Sequence, residues 1–499
     1  MYRTRRKIAD SHYLPFVVLF IAYCWLVCLL LTVRPDVFFS GDAGIKFLIV
    51  GQINNGVGFK NLRLDHPGWV LDIWSQGFYP FKQPFIYDAP SGKTVAFPPA
   101  FQWLTAPFYR WFGYKGLYII PSISLALLWA WFIVVIRQLT ARPVIVACGL
   151  IIMAFCSPLT IYAAIYWEHT LAVLLVFSGL VFLLEPVAAV KTAMLGLLTG
   201  LAAWFRPESM IMSGLICGIA CYNYFVYRKF VNVIFILSVL LVVTSFFVFN
   251  KIFYGSLLGA HAHQLMDESG STVSFSKSLN ILFHINVKFL VFFPAAILFY
   301  ALTLRLLIKK PVVPSVIYQL LVVILLYSVI TPFILPNAGG KQWGPRYFLP
   351  LIPFILAAIF LQVKILPLNK VWLVAGALLV AYSAYLNVYL AATTLSRDYA
   401  QRVSPGMAFL TTQDCKVVVV QNQFIAQEFA AASGNRIFFL AEDNKHFQSL
   451  LDKLRLAGVA CVIYMTSSRQ ESRLPNGFNN QRRELLKRGD YFFEQYSLQ

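Results

Sequence analysis

Long stretches in which nearly every position is apolar, with no alternation of polar residues, dominate the chain. They cover residues 12–33, 117–136, 144–166, 171–184, 192–204, 210–227, 231–249, 289–307, 312–335, 348–363 and 371–391. A helix rises 1.5 Å per residue, and the hydrocarbon core of a bilayer is about 30 Å thick. The pattern therefore predicts about eleven transmembrane helices. The runs 171–184 and 192–204 are short and need tilt or flanking residues to span.

From about Ser396 the pattern changes. The short β-type runs "KVVVV", "RIFFL" and "ACVIYM" alternate with "NQFIAQEFAAASG" and "NKHFQSLLDKLRLAG", helix-like stretches that each end in Gly. Strand–helix alternation predicts a small α/β domain with a parallel sheet. The expected organisation is a membrane domain over 1–394, whose first outer loop is 34–116, followed by a soluble domain over 395–499. No GxGxxG or GxxxxGK[ST] occurs in the soluble part, so no nucleotide is assigned to it.

Composition agrees: 59% of residues are hydrophobic and 12% charged, against roughly 25% charged in soluble domains. The charges set an orientation. Arg3, Arg5, Arg6 and Lys7 precede the first run. Arg137 and Arg142, Lys191, Arg228 and Lys229, Arg305, Lys309 and Lys310, and Lys364 and Lys370 occupy alternating junctions on the same side. The positive-inside rule makes that side, with the N-terminus, cytoplasmic. The net charge of +20 is explained by these loops and by contact with the lipid bilayer. No basic run is interleaved with base-stacking aromatics, which excludes nucleic acid as a partner. The first run is longer than a signal-peptide core and lacks a cleavage site, so it reads as a retained helix. An odd number of spans puts the C-terminal domain outside. No Asn-x-Ser/Thr sequon occurs, which points to a bacterial inner membrane with a periplasmic outer face. Cys415 and Cys461, the two cysteines outside the membrane, can pair in such an oxidising compartment.

The outer junctions carry the chemistry. "SGDAGIK" places Asp42 and Lys46 four residues apart, on one helix face. Asp65 and His66 follow in "LDHPGW", then an aromatic and proline-rich stretch expected to form interfacial amphipathic helices and turns. Glu168 and His169 lie in "YWEHT", and Arg206 and Glu208 in "WFRPES". His261, His263, Asp267 and Glu268 lie in "GAHAHQLMDESG", and Lys341, Trp343 and Arg346 in "GGKQWGPRYFLP". Ionisable groups near a bilayer are costly, so a set gathered on one side predicts an aqueous cavity opening outward. His261 and His263 at i,i+2 do not share a helix face and have no third ligand at a suitable spacing. No metal site is expected from them.

The arrangement resembles the GT-C superfamily of integral-membrane glycosyltransferases, which use polyprenyl-phosphate-linked sugars. The residues that carry the likeness are the Asp after the first span ("SGDAGIK") and a long outer loop. The Arg-Pro-Glu after a glycine-rich run ("GLLTGLAAWFRPES") and the late "WGPRYFLPLIPF" complete it. Many members pair two acids in the first loop. Here Gly41 and Ala43 flank Asp42, which disfavours a divalent metal, and no cofactor is expected. The resemblance implies a GT-C-like polytopic α-helical fold. It also implies transfer of a sugar from a polyprenyl-phosphate-linked donor to a lipid, glycan or protein acceptor on the extracytoplasmic face.

That reaction needs a base for the acceptor hydroxyl and cations for the departing phosphate. Asp42 is the expected base, with Glu168 and His169 as further catalytic candidates. Lys46, Arg206 and Arg346 are expected to hold the donor phosphate, since guanidinium pairs bidentately with phosphate oxygens. Asp65, His66, Glu208, His261, His263, Lys341 and Trp343 are expected to contact substrate, with Trp69 and Trp74 as further stacking candidates. A lipid-linked sugar transporter or flippase and a non-catalytic scaffold of GT-C shape are the rival readings. Against a transporter, no internal repeat is visible and the charges sit at the outer boundary rather than the midplane.

Overall fold

The computed structural model describes residues 12–34, 36–89, 92–184, 188–259, 275–335, 343–467 and 482–498. Among them, the helices Leu14–Thr32, Ala100–Leu139, Ser209–Tyr227, Val231–Tyr254, Ser315–Ile334 and Lys370–Thr412 are each long and apolar enough to cross a bilayer. Shorter apolar helices run over Pro143–Phe155, His169–Leu184, Ala189–Phe205 and Leu351–Ile365. The chain divides into two compact units. The first is Met1–Leu30 with Tyr118–Thr393, and the second is Leu31–Leu117 with Thr394–Gln499.

Two of the expected continuous spans are interrupted by proline. Ser276–Phe292 and Ala295–Lys309 meet at a 111° bend. Pro294 has no N–H with which to continue the first helix, and its fixed φ starts the second. The run 144–166 likewise stops at Phe155. Pro158 disfavours helical backbone at Ser157, and a short helix, Leu159–Ala163, follows. That interruption brings Trp167, Glu168 and His169 into the first unit's interior, where all three are buried.

Within the first unit, the glycine-rich run is a packing device. A Cβ on Gly196 would lie 2.7 Å from the Phe235 carbonyl, and one on Gly200 2.9 Å from that of Val239. This small-xxx-small spacing lets the backbones of Ala189–Phe205 and Val231–Tyr254 touch, as membrane helices do where apolar burial alone gives no drive to associate. Ser178 and Thr199 share a buried hydrogen bond of 2.7 Å beside it.

The second unit contains a hairpin, β1 (Ile86–Ala89) with β2 (Gly92–Val95), and a five-stranded sheet. The sheet is built from β3 (Val417–Val420), β4 (Ile437–Leu440), β5 (Cys461–Thr466), β6 (Arg482–Arg488) and β7 (Tyr491–Ser497), in the order β4-β3-β5-β7-β6. The three strands expected from sequence are present, and β3 pairs in parallel with both β4 and β5. The expected parallel sheet is extended by β7, which pairs antiparallel to β5 and forms a hairpin with β6. β6, "RRELLKR", is a charged edge strand; edge strands commonly carry charge to block further pairing, and this removes the alternation by which a strand is recognised. Cys415 and Cys461 are disulfide-bonded with Cα atoms 5.7 Å apart, joining the starts of two neighbouring strands.

The helix Gly41–Asn54 packs on residues 423–434 of the same unit. A Cβ on Gly41 would lie 1.8 Å from Gln427 Oε1, and one on Gly44 1.7 Å from the Gln427 carbonyl oxygen. The glycines around Asp42 therefore serve close packing, and the helix they belong to is largely buried. Arg402 adds a partly buried network to the same unit. It donates to Glu428 (2.6 Å), Asp398 (2.8 Å) and the Tyr491 hydroxyl (2.9 Å), while that hydroxyl donates to Glu428.

Two glycine substitutions in one helix should have opposite signs. Gly44→Ala forces a backbone contact and should destabilise by about 1–3 kcal/mol. A Cβ on Gly51 meets nothing within 4 Å, so Gly51→Ala should stabilise by about 0.4–1 kcal/mol through helix propensity. Thermal unfolding of the two variants in detergent measures both.

Candidate functional site

In the first unit, three chain breaks converge. Glu168 and His169 stand at the start of His169–Leu184. Arg206, Pro207 and Glu208 link Ala189–Phe205 to Ser209–Tyr227. Arg346 and Tyr347 form a single turn before Leu351–Ile365. His169, Arg206, Glu208, Arg346 and Tyr347 line one small cleft, with a cavity volume of about 20 Å³. Each of these positions is a helix end, where backbone groups already need polar partners, so charged side chains belong here more readily than in mid-helix.

Arg206 is the hub. Its Nη1 donates to Glu168 Oε1 at 3.1 Å and its Nη2 to Glu208 Oε1 at 2.9 Å. The side chains are 11%, 4% and 8% exposed respectively, so the carboxylates hold the guanidinium in one orientation with little competition from water. A guanidinium has five N–H donors, and those left over are available to an anion. The Arg206 guanidinium carbon lies 5.8 Å from the Tyr347 ring centre and that of Arg346 5.1 Å. Arg346 Nη2 also donates to the Tyr347 hydroxyl at 3.2 Å. Two cations thus share one aromatic ring, within the roughly 6 Å reach of cation–π attraction. His169 is buried in an aromatic corner, edge-on to Tyr162 and Trp167 with ring centres 5.2 Å away in each case.

Two residues that the sequence reading did not single out hold the Arg346 turn. The Tyr327 hydroxyl donates to the Tyr347 carbonyl at 2.8 Å, and the Tyr162 hydroxyl to the Gly344 carbonyl at 3.3 Å. Gly344 has φ of +75°, a conformation that favours glycine. The only sequence signal for the tyrosines was a polar tip within an apolar run. Trp343 lies on the same turn, with its Nε1 donating to Asn387 Oδ1 at 3.3 Å and its ring edge-on to Phe292.

The remaining candidates lie elsewhere. His261, His263, Asp267, Glu268 and Lys341 fall outside the described residues. Asp42, Lys46, Asp65 and His66 belong to the second unit. Asp42 is partly exposed in the first turn of Gly41–Asn54, where the helix dipole favours a carboxylate. Lys46, one turn on, is buried with its ammonium 4.7 Å from the Phe97 ring centre. Trp74 is buried, donating its Nε1 hydrogen to the Phe438 carbonyl at 3.0 Å, and Trp69 stacks on Phe439. These two indoles pack on β4. His66 is edge-on to Trp74, and burial lowers its pKa, with Asp65 opposing. No group of three or more His, Cys, Asp or Glu with metal-binding geometry occurs among the described residues.

Removing one member of the buried ion cluster should cost far more than removing a turn hydrogen bond. Arg206→Met leaves Glu168 and Glu208 without their guanidinium and should lower stability by about 3–5 kcal/mol. Tyr327→Phe should lower it by about 1–3 kcal/mol; thermal unfolding ranks the two. Because the folded-state pKa of His66 lies below its ordinary value of about 6.5, its contribution is intact above that pH and is lost as pH falls through the lowered pKa. His66→Asn should flatten this part of the acid limb in a pH series of unfolding curves.

No protein-family model matches the sequence, and no curated protein matches it. Solved structures do. The crystal structure of ArnT from Cupriavidus metallidurans bound to undecaprenyl phosphate aligns over 98% of this chain and 99% of that one, with a TM-score of 0.59 at 14% identity. The apo structure of the same protein aligns over the same shares, with a TM-score of 0.56 at 14% identity. This chain has the ArnT fold: a mostly helical membrane protein with several apolar helices and a small sheet-bearing C-terminal region.

Proposed function

We propose that this protein is a membrane glycosyltransferase that takes a sugar from a polyprenyl-phosphate-linked donor and passes it to a lipid, glycan or protein acceptor on the extracytoplasmic face. The observation that carries the reading is the convergence of Arg206 and Arg346 on Tyr347 in one cleft at the ends of apolar helices. An anion whose tail is a hydrocarbon chain matches such a site. The guanidinium forks meet the phosphate oxygens, and the tail can stay in lipid. The ArnT fold, seen with undecaprenyl phosphate in that relative, supports the same class of donor.

In this reading the carboxylate of Asp42 takes the proton of the acceptor hydroxyl. The acceptor oxygen attacks the anomeric carbon, the bond from that carbon to the phosphate oxygen breaks, and polyprenyl phosphate leaves with the electron pair. One displacement inverts the anomeric centre. Arg206 and Arg346 stabilise the charge that develops on the leaving oxygens. Glu168 and Glu208 act as positioning residues, fixing the Arg206 fork. His169 and Lys46 are further candidates, for the acceptor and the phosphate respectively. Support for Asp42 is local: a partly exposed acid on a helix held close to its neighbours by Gly41 and Gly44.

A transfer assay with a polyprenyl-phosphate sugar separates these roles. Asp42→Asn should lower kcat by about 10²–10⁴ with donor affinity retained; unchanged turnover would remove the base assignment. Arg346→Ala should weaken donor binding, and an unaltered donor Kd would remove the phosphate role.

A further inference from the structure

The long apolar helix Lys370–Thr412 is not regular along its length. Over Tyr385–Leu390 it widens into a turn of π-helix that contains Asn387, a buried residue. Such turns recur at functional sites. We infer that Asn387 is a positioning residue for Arg346, acting through Trp343 and Gly344 at the start of the Arg346 turn. The inference rests on the phosphate role given to Arg346 above for its purpose, but not for the positioning itself. All of these residues belong to the first unit.

The Asn387 side chain reaches the bend between Ser276–Phe292 and Ala295–Lys309. A helix break leaves carbonyls at the end of one helix, and N–H groups at the start of the next, without partners in their own helix. Phe293 and Ala295 are buried, so water does not serve these groups. Two side chains of the long helix do. Asn387 Nδ2 donates to the Phe292 carbonyl at 3.0 Å, and the Ala295 N–H donates to Ser383 Oγ at 3.1 Å. Asn387 Nδ2 also donates to the Ser383 carbonyl at 2.9 Å.

The oxygen of the amide accepts from Trp343 Nε1 at 3.3 Å. An indole N–H can only donate, and a backbone carbonyl can only accept. The three partners therefore fix which end of the amide points where. Aspartate in this place would lack the donors, and leucine would lack both donor and acceptor.

Through this one group the helix bend and the Arg346 turn are joined. The Trp343 ring stands edge-on to Phe292 with ring centres 4.9 Å apart, and a Cβ on Gly344 would lie 3.1 Å from the Phe292 Cβ. Trp343 and Gly344 thus rest on the residue whose carbonyl Asn387 holds. The Tyr162 hydroxyl takes the Gly344 carbonyl. Pro345, whose ring fixes its φ, then leads to Arg346, where the guanidinium meets the Tyr347 ring. A displacement of Trp343 is felt three residues on, at the side chain that faces the phosphate.

The test uses the full chain in detergent, with undecaprenyl phosphate as the probe in isothermal titration. Asn387→Leu removes all three hydrogen bonds of the amide. Trp343→Phe removes only the one that reaches the turn, and carries the test by itself should Asn387→Leu fail to fold. Ser383→Ala removes a bond at the bend without touching Trp343 and is the control. Asn387→Leu and Trp343→Phe should each weaken undecaprenyl phosphate binding about three- to tenfold. Both should also raise amide hydrogen exchange over residues 343–350 in the unliganded protein. Ser383→Ala should do neither. In an Arg346→Ala background, Asn387→Leu should add nothing further to Kd, because it acts through that guanidinium. Unchanged exchange in both variants, an equal loss in Ser383→Ala, or a full further loss in the Arg346→Ala background overturns the inference. So does an unchanged Kd in both variants where Arg346→Ala weakens binding; the phosphate role then stands and the inference alone fails. Raised exchange, with a Kd that Arg346→Ala itself leaves unaltered, removes the phosphate role alone.

Discussion

The cluster around Arg206 is the constraint on which the first unit depends. A guanidinium and two carboxylates held away from water are tolerable only as a set, because each charge alone would carry a desolvation penalty of several kcal/mol. Glu168 comes from one helix break, and Arg206 and Glu208 from another. Pairing them therefore fixes how those helix ends meet. The same pairing leaves Arg206 oriented beside Tyr347 and Arg346. Structural and chemical demands coincide: what makes the charges bearable also aims the donors that a phosphate would use.

Around that cluster, precision comes from contacts without charge. The Tyr327 and Tyr162 hydroxyls each occupy a carbonyl of the Arg346 turn, so its direction does not rest on the long Arg346 side chain alone. Gly196 and Gly200 bring two helix backbones together where a larger residue would hold them apart. The second unit uses the same device at Gly41 and Gly44, against Gln427. Asp42 thus rides on a helix whose position is set by backbone contact.

Much of this was legible in the residues. Apolar runs announced the helices, since a bilayer demands about twenty such residues in a row. The proline in "WFRPES" marked a break at which an arginine would need partners, and the structure supplies two. Strands β3, β4 and β5 showed as short apolar runs between glycine-closed helices. The β1–β2 hairpin and the β6–β7 pair did not show. The first is short and set among prolines and aromatics, and β6 has the charged composition of an edge. The glycines of "SGDAGIK" looked like looseness in one dimension because the chain they press against is nearly four hundred residues away.

Sequence by itself determined the membrane class, the helical runs, the small α/β region and the charged residues at the helix breaks. These follow from composition and from periodicities of a few residues, which local chain geometry enforces. Only the tertiary structure decided which of those charges share a cleft, which tyrosines hold the Arg346 turn, and that Trp69 and Trp74 pack on β4. The physical reason is range. Pairing of buried charges and close packing at glycine join residues far apart in the chain, and no short-range pattern records who will meet whom.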